Sequence, residues 1–280
     1  MKVLITGANG QLGREVTKQF SELDAQLILT DVKELDITNS KMVYKFVKDE
    51  RPDIIVNCAA HTLVDKCEVE IESAYRINAI GPKNLAQAAY SIGAEIVQIS
   101  TDYVFQGEED IILTEFDKPN PQTIYGKTKL EGENFVMALN PKHYILRTAW
   151  LYGDGNNFVK SILKLCEDRP QIKVVNDQRG TPTSTVDLAR VIINLVNEKN
   201  YGLFHCTCKG SCTWYDFAKE IVSLVKLSTE VVPCTTEEFP RPAKRPKYSV
   251  LRNYMLELTT GDITRDWKEA IKEYMKGLSI

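Results

Sequence analysis

The sequence predicts an α/β protein built on a doubly wound parallel sheet. Up to about residue 139, short apolar runs alternate with longer segments in which apolar residues recur at helical spacing. Each run is continuous rather than alternating, as is typical of parallel strands that helices cover on both faces. Because strand, helix and strand in this order form right-handed crossovers, the alternation favours an open parallel sheet.

The elements of this sheet can be followed along the chain. The apolar runs expected to be strands are KVLIT, QLILT, DIIVNCAA, AEIVQIS and the core of KHYILRTAWLYG. The segments expected to be helices between them are GQLGREVTKQFSEL, SKMVYKFVKDE and IESAYRINAIGPKNLAQAAYSIG. This order of strands and helices predicts a Rossmann-like fold.

The sequence changes character after residue 150. Loops rich in Gly, Pro and Asn separate shorter elements, of which TVDLARVIINLVNEK and TWYDFAKEIVSLVK are the clearest helices. A length of 280 residues fits one large or two modest domains. We therefore predict a dinucleotide-binding domain over 1–150, which carries the chemical residues, and a smaller substrate-binding lobe over 151–280. Part of this lobe is expected to rejoin the sheet.

The composition argues against two classes of partner. The net charge is −3 at pH 7, and no basic field predicts binding to nucleic acid. No apolar run approaches the ~18 residues of a membrane span. The first run is also too short for a secretory signal. We expect a cytoplasmic protein without nucleic-acid or membrane partners.

The seven cysteines do not predict a disulfide framework, since their number is odd and their spacing irregular. The segment HCTCKGSC contains residue types that bind zinc. However, it lacks a paired C-x-x-C unit, and LFHCTC is expected to be a strand with Cys206 and Cys208 on one face. Reduced thiols are the favoured interpretation, and we expect no metal.

A glycine-rich turn follows the first predicted strand. Glycines at this point allow a tight strand-to-helix turn and the close approach of a pyrophosphate, which the N–H groups of the helix N-terminus then bind. In this context the turn favours a dinucleotide over a plain loop. The residues of the predicted cofactor site in this turn are Gly7, Asn9, Gly10, Gln11, Leu12 and Gly13.

The loop after the second strand bears on the choice of cofactor. Asp31 lies about 20 residues beyond the glycine turn, where a carboxylate accepts hydrogen bonds from the adenosine ribose and repels a 2′-phosphate. NADH is therefore the default, while Lys33 offers a partner for a phosphate and leaves NADPH open. Asp36 and Ile37, further along this loop, complete the predicted cofactor contacts.

The segment TIYGKTK supplies a candidate proton donor. Tyr125 and Lys129 are four residues apart, so on a helix they project from one face. A free phenol has a pKa of about 10. A neighbouring ammonium is expected to lower that pKa and make Tyr125 an acid and base. Thr101, at the end of the strand AEIVQIS, is placed to hold a substrate carbonyl.

The loop after the third strand carries small residues suited to close contact with a cofactor. Ala59, Ala60 and Thr62 are assigned to the cofactor site. His61 is open to two interpretations, an acid–base residue or a histidine that contacts the cofactor or holds the loop. Asn78 is expected to be a buried polar residue linked to the strand of Thr101.

The G-x-x-G-x-x-G spacing, followed by Thr, Tyr and Lys in that order, resembles the extended short-chain dehydrogenase/reductase superfamily. Within it, the sequence is similar to the dTDP-4-dehydrorhamnose reductase family, closely over the first two-thirds and more loosely beyond. The segments that carry this similarity are GANGQLG, AAHTLVDKCE, STDYVFQG, YGKTKLEGE, LRTAWLYG, NNFV and NDQRGTPT. The resemblance implies that NADH or NADPH reduces the C4 keto group of dTDP-4-dehydro-β-L-rhamnose, the last step of dTDP-L-rhamnose synthesis.

The same resemblance implies residue roles. Tyr125 is the proton donor, Lys129 assists it, and both also contact the cofactor. The implied substrate-binding residues are Val64, Thr101, Asp102, Tyr125 and Trp150. The candidates for contacts to the thymine or the diphosphate are Asn156, Asn157, Arg179, Arg241 and Arg245.

Other members of the superfamily give alternative interpretations. Dehydratases carry a glutamate after the Thr-Asp pair, where this sequence has Tyr103. Epimerases and other 4-ketoreductases stay open, although epimerases are generally longer in the substrate lobe. A non-catalytic subunit like the β subunit of methionine adenosyltransferase also stays open, and the start at Met1 argues against it.

Some reductases of this family form dimers through magnesium bound by glutamates. Glu15 matches one such position, but Val186 stands where the other acidic residue is expected. We therefore predict no metal and leave a homodimer possible.

Overall fold

A six-stranded parallel sheet forms the centre of the protein, and its strand order is β10-β5-β4-β3-β1-β2. The computed structural model describes residues 1–108 and 110–278. The strands of this sheet are β1 (Lys2–Thr6), β2 (Gln26–Thr30), β3 (Ile54–Asn57), β4 (Glu95–Thr101), β5 (His143–Thr148) and β10 (Gly202–His205). Every neighbouring pair is parallel. The predicted doubly wound, Rossmann-like fold is confirmed.

Helices cover both faces of the sheet. The helices in chain order are α1 (Gln11–Ser21), α2 (Ser40–Glu50), α3 (Val64–Cys67), α4 (Ile71–Tyr75), α5 (Gly81–Ile92), α6 (Ile124–Leu139), α7 (Phe158–Asp168), α8 (Thr185–Glu198), α9 (Trp214–Leu224), α10 (Tyr254–Leu258) and α11 (Trp267–Lys276). On one face α1 and α8 pack against Val3 and Ile5, and on the other α2, α5 and α6 pack around Leu4. Alternate β1 residues thus enter opposite cores, which explains why the run KVLIT is apolar throughout.

A second hydrophobic core lies away from the sheet. Its members include Val159, Ile162, Phe217, Trp267 and Ile271. The strand pairs that surround it are β6 (Leu151–Tyr152) with β9 (Thr183–Ser184), β7 (Gln171–Val175) with β12 (Glu230–Cys234), and β8 (Arg179–Gly180) with β11 (Cys212–Thr213). Both α8 and β10 come after residue 150 but pack on or within the main sheet. The division at residue 150 therefore stays a prediction.

One local expectation is wrong, and another is refined. The strand expected in LFHCTC ends at His205, so Cys206 and Cys208 follow it as buried residues instead of sharing one of its faces. The segment IESAYRINAIGPKNLAQAAYSIG is helical from Ile71 to Ile92, as expected, and a π-helical turn, Arg76–Ile80, lies between α4 and α5. Among the described residues, no helix is long and apolar enough to cross a membrane.

Candidate active site

A cleft of about 920 Å³ opens at the carboxyl ends of the parallel strands. The glycine turn, the ends of β3 and β4, the start of α6 and several segments of the second half line it. Open α/β sheets bind their ligands at this edge, where the chain order of the strands reverses. The position of the cleft is therefore set by the topology of the sheet.

Most of the predicted site residues lie on this cleft. Those that line it are Gly10, Gln11, Leu12, Gly13, Ala59, Ala60, Thr62, Val64, Thr101, Asp102, Tyr125, Lys129 and Trp150. Those that lie outside its lining are Gly7, Asn9, Asp31, Asp36, Ile37 and His61. Their roles in binding stay predictions.

The glycine turn has no room for side chains. Gly7 has a φ of +64°, and a Cβ there would lie 2.7 Å from the backbone nitrogen of Ala59. A Cβ on Gly13 would lie 2.2 Å from the carbonyl oxygen of Gly7. Gly10 is the N-cap of α1, which has no side-chain cap, and Gly10 to Gly13 line the cleft. This arrangement fits the diphosphate of a dinucleotide.

Asp31 lies directly after β2 and beside the glycine turn. Its Oδ2 is 3.4 Å from the backbone nitrogen of Asn9, and its Oδ1 accepts a hydrogen bond of 2.8 Å from the N–H of Val32. Asp36 instead accepts hydrogen bonds from Thr38, while the Ile37 side chain is buried. Of the three predicted contacts in this loop, Asp31 is the one placed next to the helix N-terminus.

A chain of buried hydrogen bonds crosses the strand ends and includes a residue that the sequence analysis missed. Asn57 accepts a hydrogen bond of 2.6 Å from the Thr6 hydroxyl and donates one of 2.7 Å to Gln98. The Gln98 side chain then donates to the carbonyl of Ile99, at 2.8 Å. Since Asn57 and Ile99 both line the cleft, these bonds fix its floor.

His61 is held by the protein itself. Its Nε2 lies 2.9 Å from a carboxylate oxygen of Glu70, and its Nδ1 lies 3.3 Å from the Cys67 sulfur. Asn78, in the π-helical turn, accepts a hydrogen bond from the N–H of His61 and donates one to the Thr128 hydroxyl of α6. The expected link from Asn78 to the strand of Thr101 is therefore wrong, because Asn78 joins the β3 loop to α6. These contacts favour the interpretation of His61 as a loop-holding residue.

Tyr125 and Thr101 meet in the cleft. Thr101 ends β4, Tyr125 is the second residue of α6, and both side chains line the cleft. The ring of Tyr103 contacts that of Tyr125 edge-on, with centroids 5.5 Å apart. Burial raises the pKa of Tyr125 well above its ordinary value, and the nearby Thr101 hydroxyl opposes this rise. The predicted lowering of this pKa by Lys129 is wrong.

Lys129 is buried one helical turn after Tyr125. Its Nζ donates a hydrogen bond of 2.5 Å to the carbonyl oxygen of Ile99. Burial lowers the pKa of Lys129 to about 8, and the charge of Glu133 acts in the opposite direction. A buried ammonium with a pKa near neutrality is able to exchange a proton, which is a property of functional lysines.

The Asp102 side chain lies at the cleft with one carboxylate oxygen hydrogen-bonded and the other buried. Its Oδ1 accepts a hydrogen bond of 2.9 Å from the Thr101 hydroxyl. Its Oδ2 is buried and has no hydrogen-bond partner among the described residues. Burial raises the pKa of Asp102 to about 6, and the hydroxyls of Ser249 and Thr101 oppose this rise. A substrate hydroxyl is a suitable partner for this oxygen, because it would satisfy the unpaired acceptor.

A buried ion pair lies beneath these residues. Arg147 of β5 donates to Glu133 of α6, with 2.7 Å between Nη2 and Oε2, and both side chains are almost fully buried. The Ser100 hydroxyl also donates to Glu133. The pair thus joins β4, β5 and α6. Glu133 follows Lys129 by four residues, a helical spacing from which the sequence could have indicated it.

Only some of the candidates for nucleotide contacts line the cleft. Arg241 and Arg245 line the cleft, whereas Arg179 and Asn156 do not. Arg245 pairs with Asp65 at 2.8 Å. The Asn157 side chain caps α7 and donates a hydrogen bond of 2.7 Å to the carbonyl of Gly153, so it serves the local structure.

Glu15, which matches a metal ligand of some related reductases, accepts a hydrogen bond within the protein. The Gln19 amide donates to the Glu15 carboxylate at 2.7 Å and to the carbonyl of Val186 at 3.1 Å. Among the described residues, no group of three or more His, Cys, Asp or Glu side chains is arranged to hold a metal ion.

The fold and the site define an NAD(P)-dependent reductase of the extended short-chain dehydrogenase/reductase class. The chain matches the family described as "RmlD substrate binding domain" over residues 1–280 and belongs to it, as the sequence predicted. It is 42% identical to the spore coat polysaccharide biosynthesis protein SpsK of Bacillus subtilis, over 98% of this chain and 97% of that protein. It is 38% identical to the dTDP-4-dehydrorhamnose reductase of Escherichia coli, over 99% of this chain and 98% of that protein.

Solved structures of dTDP-4-dehydrorhamnose reductases are also similar to this chain. A dTDP-4-dehydrorhamnose reductase of Clostridium acetobutylicum is 68% identical, with a TM-score of 0.99 over 100% of both chains. The dTDP-4-dehydrorhamnose reductase of Bacillus anthracis, solved in complex with NADP, is 44% identical, with a TM-score of 0.97 over 99% of both chains. The UDP-glucose 4-epimerase of Thermus thermophilus, with a TM-score of 0.83 over 100% of both chains, is 18% identical and shares the fold alone.

Proposed function

We propose that this protein reduces the C4 keto group of dTDP-4-dehydro-β-L-rhamnose to give dTDP-L-rhamnose, with NADH or NADPH as the reductant. The observation that carries the proposal is the meeting of Thr101, Tyr125 and Lys129 in one cleft with the glycine turn. The family supports it, since relatives that cover nearly the whole chain are dTDP-4-dehydrorhamnose reductases.

The proposed reaction follows from the protonation states of Tyr125 and Lys129. The bound reduced dinucleotide supplies the hydride. On substrate binding the Thr101 hydroxyl turns from Asp102 to donate a hydrogen bond to the keto oxygen, and Tyr125 donates the proton. The raised pKa of Tyr125 keeps the phenol protonated at neutral pH, as a donor requires. Lys129, whose pKa of about 8 is close to neutrality, stands behind Tyr125 as the group that helps to replace this proton.

The substrate is oriented by groups around the keto carbon. The free Oδ2 of Asp102 accepts a hydrogen bond from a sugar hydroxyl. Val64 and Trp150 form apolar parts of the wall. Arg241 lines the cleft and has no ion pair with any described residue, so it is our candidate for the diphosphate. The ion pair of Arg245 with Asp65 makes Arg245 the weaker candidate.

The test is turnover of the purified protein alone. We expect dTDP-4-dehydro-β-L-rhamnose to give one dTDP-L-rhamnose for each NADH or NADPH oxidised. An epimerase would instead change the sugar without net oxidation of cofactor, and a regulatory subunit would show no turnover without its partner enzyme. Either result would contradict the proposal. The cytoplasmic location and the possible homodimer stay predictions.

A further inference from the structure

Trp150 has an unusual backbone for a large residue on the wall of a cleft. Its φ is +48°, in the left-handed region that favours glycine. It follows β5 and precedes β6, and its carbonyl accepts a hydrogen bond of 3.2 Å from the N–H of Thr183. Backbone strain of this kind persists where surrounding groups enforce it, and it is concentrated at functional sites.

Two neighbours hold the Trp150 side chain. The Trp214 indole stacks on it with ring centroids 3.5 Å apart and an angle of 7° between the planes. The backbone of Gly180 lies against the same indole, since a Cβ there would be 2.6 Å from Cε2 of Trp150. A side chain at position 180 would therefore have to displace the indole. The pairing of β8 with β11 places Gly180 opposite Cys212, two residues before Trp214.

Trp214 is itself fixed by local structure. It is the first residue of α9, and Thr213 forms a capping box with Asp216 at the start of that helix. The Thr213 hydroxyl also donates to the side chain of Asn176 at 2.8 Å. The Phe158 ring packs against Trp214 with centroids 4.5 Å apart. The aromatic pair therefore rests on the second hydrophobic core.

We infer that Trp214 is a positioning residue for the sugar-nucleotide site, which acts with Gly180 by holding Trp150 in its left-handed conformation. Both indoles line the cleft that contains Tyr125. This inference rests on the proposed function and concerns substrate recognition instead of the hydride or proton step. Loss of the stack should therefore change the KM for the sugar nucleotide and leave the KM for the cofactor unchanged.

The test compares two ways of disturbing the stack. Trp214→Leu removes one ring, whereas Gly180→Ala keeps both rings and displaces Trp150. Stacked indoles give a coupled circular-dichroism signal, which we expect in the unaltered protein without ligand and expect to be lost in both variants. The KM for the sugar nucleotide should rise about 3- to 10-fold, the range expected for an aromatic pair. Trp214→Phe should restore most of the affinity without the indole signal.

The controls remove or add the same groups elsewhere. Trp267→Phe removes an indole from the second core, and Gly277→Ala adds a methyl group where the nearest atom is 3.5 Å away. Both controls should keep the signal and the KM. Loss of the signal in Gly180→Ala or Trp214→Leu without a rise in KM would overturn the inference, as would absence of the signal from the unaltered protein. Absence of turnover would overturn the proposed function, while the signal would still report the stack.

Discussion

The Nζ of Lys129 donates a hydrogen bond of 2.5 Å to the carbonyl oxygen of Ile99. Lys129 lies one helical turn after Tyr125, and Ile99 lies two residues before Thr101. This bond therefore joins the two elements that carry the proton donor and its partner hydroxyl. The same carbonyl accepts a second hydrogen bond from Gln98, so the strand end is fixed from both sides.

Lys129→Met is expected to stabilise the fold at pH 7 and to abolish turnover. The folded pKa of Lys129 is about 8, below its ordinary value of 10.5, so burial of the ammonium is unfavourable. Between these pH values the unfolded chain binds more protons than the folded chain, and the stability of the natural protein rises with pH. Methionine removes the cost, giving a gain of about 1–3 kcal/mol at pH 7 that shrinks as the pH rises from 8 to 10.5.

The measurement is the free energy of unfolding of both proteins in denaturant across this pH range. Lys127→Met is the matched control, because Lys127 lies on the same helix and is exposed. The free energy of unfolding of Lys127→Met should change with pH as that of the natural protein does. A difference between Lys129→Met and the natural protein that did not change with pH would contradict the buried, titrating ammonium.

Tyr125→Phe should lower kcat by at least about 100-fold, because it removes the donated proton and keeps the ring. The contact of its ring with Tyr103 does not need the hydroxyl, so the local fold should be kept. Steady-state oxidation of the cofactor measures the loss, and fluorescence titration measures cofactor affinity, which should be nearly unchanged. Tyr90→Phe, at an exposed tyrosine of α5, should keep full activity. Substantial turnover by Tyr125→Phe would require another proton donor.

Asp102→Asn should remove an acidic limb from the pH profile of kcat/KM. The pKa of Asp102 is raised to about 6, so its carboxylate becomes protonated as the pH falls through this value. Protonation removes the acceptor that we assign to a sugar hydroxyl, and kcat/KM should fall below pH 6. The asparagine variant should be about 10-fold less active near pH 8 and should lack this limb.

The control for this profile is Asp168→Asn, at an exposed residue near the end of α7. It should keep both the activity and the acidic limb. An Asp102→Asn profile with the same limb as the natural protein would assign that titration to another group.

The fold could be predicted from the sequence because each strand is a local apolar run, and the glycine turn carries its own signal. Thr101, Tyr125 and Lys129 were found because they form short motifs on neighbouring elements. Trp214 could not be found in this way, since its contact with Trp150 depends on the pairing of β8 with β11. The state of Tyr125 was predicted wrongly, because proximity to Lys129 in sequence does not measure the depth of burial that raises its pKa.

Asp31→Ala should shift cofactor selectivity towards NADPH. The Asp31 carboxylate lies beside the glycine turn, 3.4 Å from the backbone nitrogen of Asn9, where it would repel a 2′-phosphate. We expect the ratio of kcat/KM for NADPH to that for NADH to rise about 10-fold or more, as the loss of one repulsive charge predicts. Asp49→Ala, at an exposed residue of α2, should leave the ratio unchanged. An unchanged ratio in Asp31→Ala would show that Asp31 does not determine the choice between NADH and NADPH.

The buried pair of Glu133 and Arg147 should be the most sensitive ionic contact near the site. Glu133→Gln leaves the Arg147 guanidinium buried without its counter-ion and should cost about 3–5 kcal/mol of stability. Replacement of both residues, by Leu and Met, should cost much less, because no unpaired charge remains. Glu72→Gln, which breaks the exposed pair with Arg76, should change stability little.

Denaturant unfolding of the three variants and the natural protein measures these differences, and kcat at saturating substrates shows whether the pair also positions the site. Because Ser100 and Arg147 both donate to Glu133, we expect the double variant to fold but to have a lower kcat. A Glu133→Gln variant as stable as Glu72→Gln would mean that water or another group compensates the Arg147 charge. A double variant with full kcat would limit the pair to a structural role.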